Sequence, residues 1–555
     1  MKQVKVGGAA IVFAIGIAAF PAGTPVLALN APGNVEFSAA PMRSEAPAAT
    51  PEWNIAENIL TIGPGTFTFA PGDSIPWSKS LWNVDKIIFT DPTHTAIVGT
   101  PRYMFSAANV RTIEGINDVD VSGVTDMGFM FASTRKLESL DISDWDVSNV
   151  VNADQMFWNA TSLTSLDVSD WDTGALENAS AMFAGMTALT TLDVSGWNTE
   201  VLQDAFRMFG DVSSLTTLDV GSWTTGALTS AAQMFQGMSS VAALDVSGWN
   251  TENLIQTREM FHGVSSVTSL DMSGWKTSKF EVMGGMFADM TSLETIDVST
   301  WDTTGFASVN EMFAGLSSLT ELDLSGWSDL GVSPLGKSVD QTDMFARTPL
   351  RSLTIPNHML LADESALGSP LQDEDFTGKW DVSGDWEGTT EELITRTQSR
   401  ERDDNTETYL WQRHATLTLN PNGGAGDPIT IQSTANKKFT LTESTFELLN
   451  AKLASWNMLA NGAGKSYAIG DTFVLPAGAT TLYAQWQDVP VKPVIDPPTE
   501  PVKPIKPVDP TTTVTGGSKL ARTGSEPMLV GIASAAVLVA GGAIVFLLRR
   551  RTRNS

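Results

Sequence analysis

Met-Phe pairs recur at a fixed step of 26 residues through the middle of this 555-residue chain. They stand at Met104-Phe105, Met130-Phe131, Met156-Phe157, Met182-Phe183, Met208-Phe209, Met234-Phe235, Met260-Phe261, Met286-Phe287 and Met312-Phe313. Trp145, Trp171, Trp197, Trp223, Trp249, Trp275, Trp301 and Trp327 keep the same interval. So do Asp141, Asp167, Asp193, Asp219, Asp245, Asp271, Asp297 and Asp323. A fixed period of this size marks a repeat solenoid, in which each unit buries its apolar face mainly against its neighbours. Length is then spent on elongation rather than on one large core. Such a chain is organised around a surface, not around a pocket.

One unit, Leu163 to Thr187, opens with L-T-S-L-D-V-S-D-W-D-T, passes through a polar stretch and closes with A-M-F-A-G-M. Alternation points Leu163, Leu166 and Val168 inward, as in a parallel strand. Met182, Phe183, Met186 and Leu189 lie one to four apart, which predicts a short helix against the sheet. At about 4.8 Å per strand the array would make a sheet roughly 40 Å long.

The motif L-x-x-L-D-V-S-x-W-D/N-T followed by M-F-x-x-M resembles the BspA-type leucine-rich repeat of bacterial surface proteins, over about residues 53–370. Trp171 stands where a typical leucine-rich repeat has Asn. The resemblance implies a leucine-rich-repeat-like solenoid, one parallel β-strand and one short helix per unit, and adhesion to a host or matrix protein or glycan. The fit loosens at both ends. Val119-Asp120-Val121-Ser122-Gly123-Val124 lacks the Trp, and the step from Met312-Phe313 to Met344-Phe345 is 32 residues. Leu350 to Pro356 reads as a last strand that the Pro ends.

The two ends suggest an address. Residues 1–28 read as a signal peptide: Lys2 and Lys5, an apolar run over 7–20, and small residues near Ala28. An N-terminal anchor is the alternative. Residues 528–548 form an uncharged apolar run of 21 residues, about 31 Å as a transmembrane helix. Arg549, Arg550, Arg551 and Arg553 follow, which keeps that tail cytoplasmic. Leu520-Ala521-Arg522-Thr523-Gly524 precedes the run. Motif, helix and basic tail together, residues 520–555, resemble the sorting signal of Gram-positive wall proteins in its LAxTG variant, with Ala521 where Pro is commoner. The resemblance implies that a sortase cuts between Thr523 and Gly524 and joins Thr523 to peptidoglycan. A plain membrane anchor is the alternative.

Between the ends, residues 29–50 are Ala/Pro-rich and read as a flexible segment. Residues 51–110 carry short β-like runs, Ile59 to Ile62, Phe67 to Phe69 and Lys86 to Phe89, separated by turn signals, and are expected to cap the array. The array with its C-terminal cap runs over 111–370, and a β connector over 371–414. In residues 415–487 an alternating strand enters an Asn-Gly turn, Trp456 sits centrally and Thr481-Leu482-Tyr483-Ala484-Gln485-Trp486 closes the segment. This stretch resembles the Listeria–Bacteroides repeat, the β-grasp-like internalin B-repeat type, and implies a spacer. Residues 488–519 are Pro-rich and predict a stiff, extended tether.

A net charge of −29 argues against nucleic acid as a partner. With no cysteine and four scattered histidines, thiolate and paired-histidine metal sites are not available. No G-x-S-x-G, H-E-x-x-H or phosphate-binding glycine loop occurs, and the acids are periodic rather than uniquely paired. No enzyme activity and no cofactor is expected, although eight aligned aspartates raise calcium as a possible ligand.

Those aspartates alternate with inward residues and so face outward on the concave side of the sheet. Carboxylates about 4.8 Å apart repel by about 1 kcal/mol in water and about 3–4 kcal/mol at an effective dielectric of 20. Flanking hydroxyls, a rise in pKa, or bridging cations could relieve this. The column is therefore either a cation- or glycan-binding face or a structural ladder held by Ser, Thr and backbone N–H groups. The tryptophans allow sugar stacking or core packing. For the whole chain three functions stay open: a wall-anchored adhesin, a coat or stalk without specific ligand, and a surface glycan-acting enzyme or cation-binding protein.

Overall fold

The computed structural model describes residues 52–328, 330 and 338–490. The signal peptide, flexible segment, tether, sorting motif and transmembrane helix expected at the two ends all lie outside the described residues.

The short runs expected as strands near the N-terminus form two ladders. β1 (Trp53–Ala56) pairs antiparallel with β2 (Ile59–Ile62), which continues in parallel to β4 (Lys86–Phe89) and β6 (Ile113–Glu114). β3 (Gly65–Phe69), β5 (Thr95–Gly99) and β7 (Asp120–Val124) make a second parallel ladder. Leu60 and Ile87 pair directly and are fully buried, so each strand lays its alternate residues on the core. Trp77 lies under these ladders, donates from Nε1 to the Met104 carbonyl at 2.9 Å, and stacks on Phe105. Phe105 in turn stacks on Phe131 at 5.6 Å, which hands the core to the array.

In the array successive units stack in parallel with a register of 26, as the bridges Asp126–Asn152, Asn152–Asn178, Asn178–Asp204 and Asp204–Ser230 show. Regular strand is brief: β8 (Ser269–Leu270), β9 (Thr295–Ile296) and β10 (Glu321–Asp323). The inward residues lie as alternation requires, with Leu163, Leu166 and Val168 all buried. The 32-residue step is absorbed between Trp327 and Asp340, because Ser308 bridges Asp340 and Phe313 stacks on Phe345 at 6.1 Å.

The short helix expected in each unit is not there. Around Met156-Phe157 the amides alternate in direction. Gln155, Phe157 and Asn159 donate to Ser180, Met182 and Ala184 of the next unit at 2.7–2.9 Å. Met156, Trp158 and Ala160 donate three residues back at 3.0–3.2 Å. Gln155 and Asn159 take left-handed conformations, φ 55° and 57°, and equivalent positions in other units do the same. Two left-handed residues four apart break any right-handed helix. The stretch is a run of tight turns whose alternate amides stitch one coil to the next, and it buries Met156 and Phe157 completely.

Two aromatic ladders fill the coil interior. Phenylalanines from Phe131 to Phe345 stack at 5.5–6.1 Å. Tryptophans from Trp171 to Trp327 stack at 6.3–6.5 Å, within the range of offset rings.

After the array, β11 (Ser352–Pro356) pairs in parallel with β10, and its other edge is covered antiparallel by β14 (Thr406–Asn420). Between them come β12 (Phe376–Val382), β13 (Trp386–Gly388) and α1 (Thr390–Ser399). α1 starts with a capping box, the Thr389 hydroxyl accepting from the Glu392 amide and the Glu392 carboxylate accepting from the Thr389 amide. Residues 371–414 thus close the stack: Trp380, Leu393, Tyr409 and Trp411 belong to the same core as Leu60.

The second half of β14 enters a mixed sheet with β15 (Ile429–Thr434), β17 (Ala451–Asn457), β18 (Ser466–Ala468) and β20 (Gly478–Asp488), while β16 (Lys438–Thr440) and β19 (Thr472–Val474) pair antiparallel with each other. Its first and last strands, β14 and β20, pair in parallel at the centre, and no helix packs on it among the described residues. Ala415, Leu417, Trp456, Leu482 and Ala484 form a separate core.

Candidate functional site

The aspartate column lies on the exposed surface, as alternation requires. Each of its eight members accepts the backbone N–H of the residue two positions on, at 2.8–3.4 Å. At Asp141, Asp167, Asp193, Asp245, Asp271 and Asp297 the serine at that position also donates its hydroxyl at 2.7–2.9 Å. Asp219 faces Gly221 and has the amide bond alone. The partners are always on the downstream side. Ser165, Thr191 and their equivalents upstream do not supply them.

Serine hydroxyls first, and the backbone N–H groups second, hold the carboxyls of Asp193, Asp245 and Asp271 below the usual range. Repulsion from Asp245 is the last and smallest influence on Asp271. At these three the direction is opposite to the rise that crowding could have produced. Each carboxylate is committed to its own turn, which local Asx geometry explains. Among the described residues no group of three or more His, Asp or Glu side chains is placed to hold a metal ion.

The eight tryptophans at the 26-residue interval are at most 5% exposed, so their faces are not offered to a sugar. Each indole N–H of these eight donates to a carbonyl 29 residues earlier, as Trp223 does to Val194 at 3.1 Å. A buried threonine column runs beside them. Thr251 donates to the Lys276 carbonyl at 3.0 Å and accepts its amide at 2.7 Å, and Thr199 treats Thr224 likewise. The Thr of the D/N-T motif carried this signal.

On the turn side another largely polar column, Asp126 to Asp340, caps six of the coils. Asp126, Asn152, Asn178, Asp204, Ser308 and Asp340 accept the amide two residues on at 2.8–3.4 Å. Here the repeat symmetry breaks. Val282 takes the place of that acceptor, Ile255 stands where Gln203 and Thr229 stand in earlier units, and Phe206 where Ser180 stands. These three apolar side chains are 37–42% exposed and line one groove with Ala232, Arg258 and Glu281. Sequence reasoning missed them because it read what repeats; aligning the units and asking where they differ would have found them.

Fold and faces together define a protein of stacked 26-residue coils with one symmetric, self-satisfied face and one irregular face. The family model described as a Mycoplasma protein of unknown function, DUF285, matches residues 99–223 and 207–327. No curated protein matches. Solved structures similar to the chain include a leucine-rich repeat protein from Bacteroides ovatus, at 12% identity and TM-score 0.30, covering 57% of this chain and 90% of that one. Another is a leucine rich cell surface protein from Faecalibacterium prausnitzii, at 13% identity and TM-score 0.25, covering 60% of this chain and 94% of that one. The sorting motif Leu520 to Gly524, with its attachment residue Thr523, lies outside the described residues, and no helix among those described is long and apolar enough to cross a membrane.

Proposed function

We propose that this chain is a wall-anchored attachment protein whose leucine-rich solenoid binds a host, matrix or neighbouring-cell component without chemical turnover. The observation that carries the reading is the single core running from Leu60 to Trp411, which builds one extended face out of many short coils. Stacked repeats of this kind offer surface rather than a preorganised cleft. The Listeria–Bacteroides-like module and the Pro-rich tether serve as spacers. A sortase of the LAxTG class cuts after Thr523 and transfers it to peptidoglycan, and the helix over 528–548 holds the precursor until then. No cofactor is needed for such a role.

Deleting residues 104–345 while keeping surface display should abolish adhesion of the producing cell to a matrix-protein or glycan array. Undiminished adhesion would leave a coat or stalk as the better account, and glycan turnover by the intact chain would make it an enzyme. Mass spectrometry of released wall fragments tests the anchor: a polypeptide continuing past Gly524 excludes sortase cleavage.

A further inference from the structure

The chain enters the second core and leaves it on neighbouring strands that run the same way. β14 brings it in from the solenoid, and β20 carries it out toward the Pro-rich stretch and the sorting motif. The two pair in parallel over six positions, from Ala415 opposite Gly478 to Asn420 opposite Tyr483. Traction between solenoid and anchor therefore draws β14 back by its start and β20 forward by its end. Each pair is loaded along the strand axis, and all must give together before the strands can slide. In an antiparallel pair, entry and exit would lie at one end of the ladder, and the pairs would open one after another.

Both grips on this ladder are reinforced. On the solenoid side the first half of β14 is held along one edge by β11, from Ser352 opposite Leu410 to Pro356 opposite Thr406. Its other edge is held by β12, where Trp380 lies opposite Trp411 and Asp381 opposite Leu410. Asp381 is buried and accepts from Asn436 Nδ2 at 3.0 Å, and Lys438 pairs with Asp385 at 2.7 Å, so the second core is also tied to the cap beside the shared strand. On the exit side β20 outruns its pairing with β14. There the Trp486 indole N–H donates to the Pro421 carbonyl at 2.9 Å, and Asn422 Nδ2 to the Ala484 carbonyl at 2.8 Å. β17 flanks the same stretch of β20 as far as Asp488. A spacer needs only length; these bonds fasten the two points through which tension would pass.

We propose that residues 415–488 are a load-bearing clamp, in which the parallel pairing of β14 with β20 keeps the solenoid joined to its anchor under traction. This rests on the attachment reading, which supplies the load.

The chain has no cysteine, so an introduced pair gives unique handles for single-molecule force spectroscopy on the full chain in detergent. Glu401→Cys with Ser518→Cys pulls from the start of β14 against the tether, along the ladder. Asp427→Cys with Ser518→Cys pulls from the far end of β14 instead, and peels β20 away pair by pair. Glu401 and Asp427 are exposed and lie outside the strands, so the fold should tolerate both changes. In either pull the second core frees about 20 nm of chain when it gives way, which marks the event. The first pull should need at least about twice the force of the second, because six pairs break together rather than singly. Equal forces, or a weaker first pull, overturn the proposal. Adhesion of displaying cells separates the clamp from the reading beneath it. If the 104–345 deletion abolishes adhesion and the two pulls match, the clamp is wrong and the attachment reading stands. If cells with the deletion adhere as before, no load reaches the clamp and both fall.

Discussion

Gly237 and Gly263 hold the same left-handed place in neighbouring coils, at φ +72° and +71°. A Cβ on Gly237 would run into Asp211 Oδ1, whereas on Gly263 the nearest atom is 3.7 Å away. Gly263→Ala should cost about 1 kcal/mol for backbone conformation alone, and Gly237→Ala about 2–3 kcal/mol, measured by chemical denaturation. Equal losses would show that the carboxylate simply moves aside. The aspartate column sets a second expectation. The folded-state pKa of Asp193, Asp245 and Asp271 is depressed, so their contribution is complete above the unfolded value of about 3.9 and is lost as pH falls through the folded one. Thermal midpoints should hold from neutral pH to about pH 5 and then drop, and Ser195→Ala with Ser247→Ala should flatten that drop. Because each carboxylate already has its partners, calcium or EDTA should leave the midpoint of the full chain unchanged. A rise with calcium would return the column to the cation-binding reading. Outward placement of these aspartates could be read from alternation in the sequence; their commitment to Ser143, Ser169 and the rest depended on a turn that alternation does not describe.

The unit of stabilisation in the array is the ladder rather than the strand. Thr251 is 1% exposed and bonds both backbone groups of Lys276, so its hydroxyl fastens two coils at one point. Thr251→Val keeps the shape and takes their partner from the Lys276 N–H and C=O, which should cost about 1–3 kcal/mol in equilibrium unfolding. A near-neutral result would mean that water reaches the seam. Ladders of Trp, Phe and Leu were legible because identity at a fixed interval must superpose in a stack. The helix was misread for a physical reason: Met182, Phe183 and Met186 at spacings of one to four suit a helical turn and a succession of tight turns equally well. The distinguishing evidence sat beside them in the sequence. Asn159, Gly185, Asp211, Gly237, Gly263, Asp289 and Gly315 occupy one column, and these are the residue types that tolerate a left-handed backbone. A helix would not repeat them at its middle.

Across the whole of the described chain there are two cores and one strand that belongs to both. The larger core runs unbroken from Leu60 to Trp411, and the smaller gathers Ala415, Trp456 and Leu482. β14 pairs through Ser352–Pro356 in its first half and with β15 and β20 in its second, so no linker separates the two bodies. Composition marked 371–414 only as polar with three tryptophans; that Trp380 and Trp411 close the stack required knowing that an open end must be covered. A shared strand couples the bodies mechanically, but stability follows burial, and the buried apolar side chains fall into two separate clusters. Calorimetry should therefore resolve two transitions. Phe235→Ala removes a fully buried ring from the middle of the stack and should destabilise the larger transition by about 3–5 kcal/mol, leaving the smaller in place. Trp456→Ala should do the converse. Coils that contact only their neighbours could unfold piecemeal, but the Phe and Trp stacks make each interface strong relative to the coil it joins, so the larger transition should remain a single peak. If either substitution shifts both peaks together, β14 transmits folding from one core to the other and the chain from 52 to 490 is one cooperative unit.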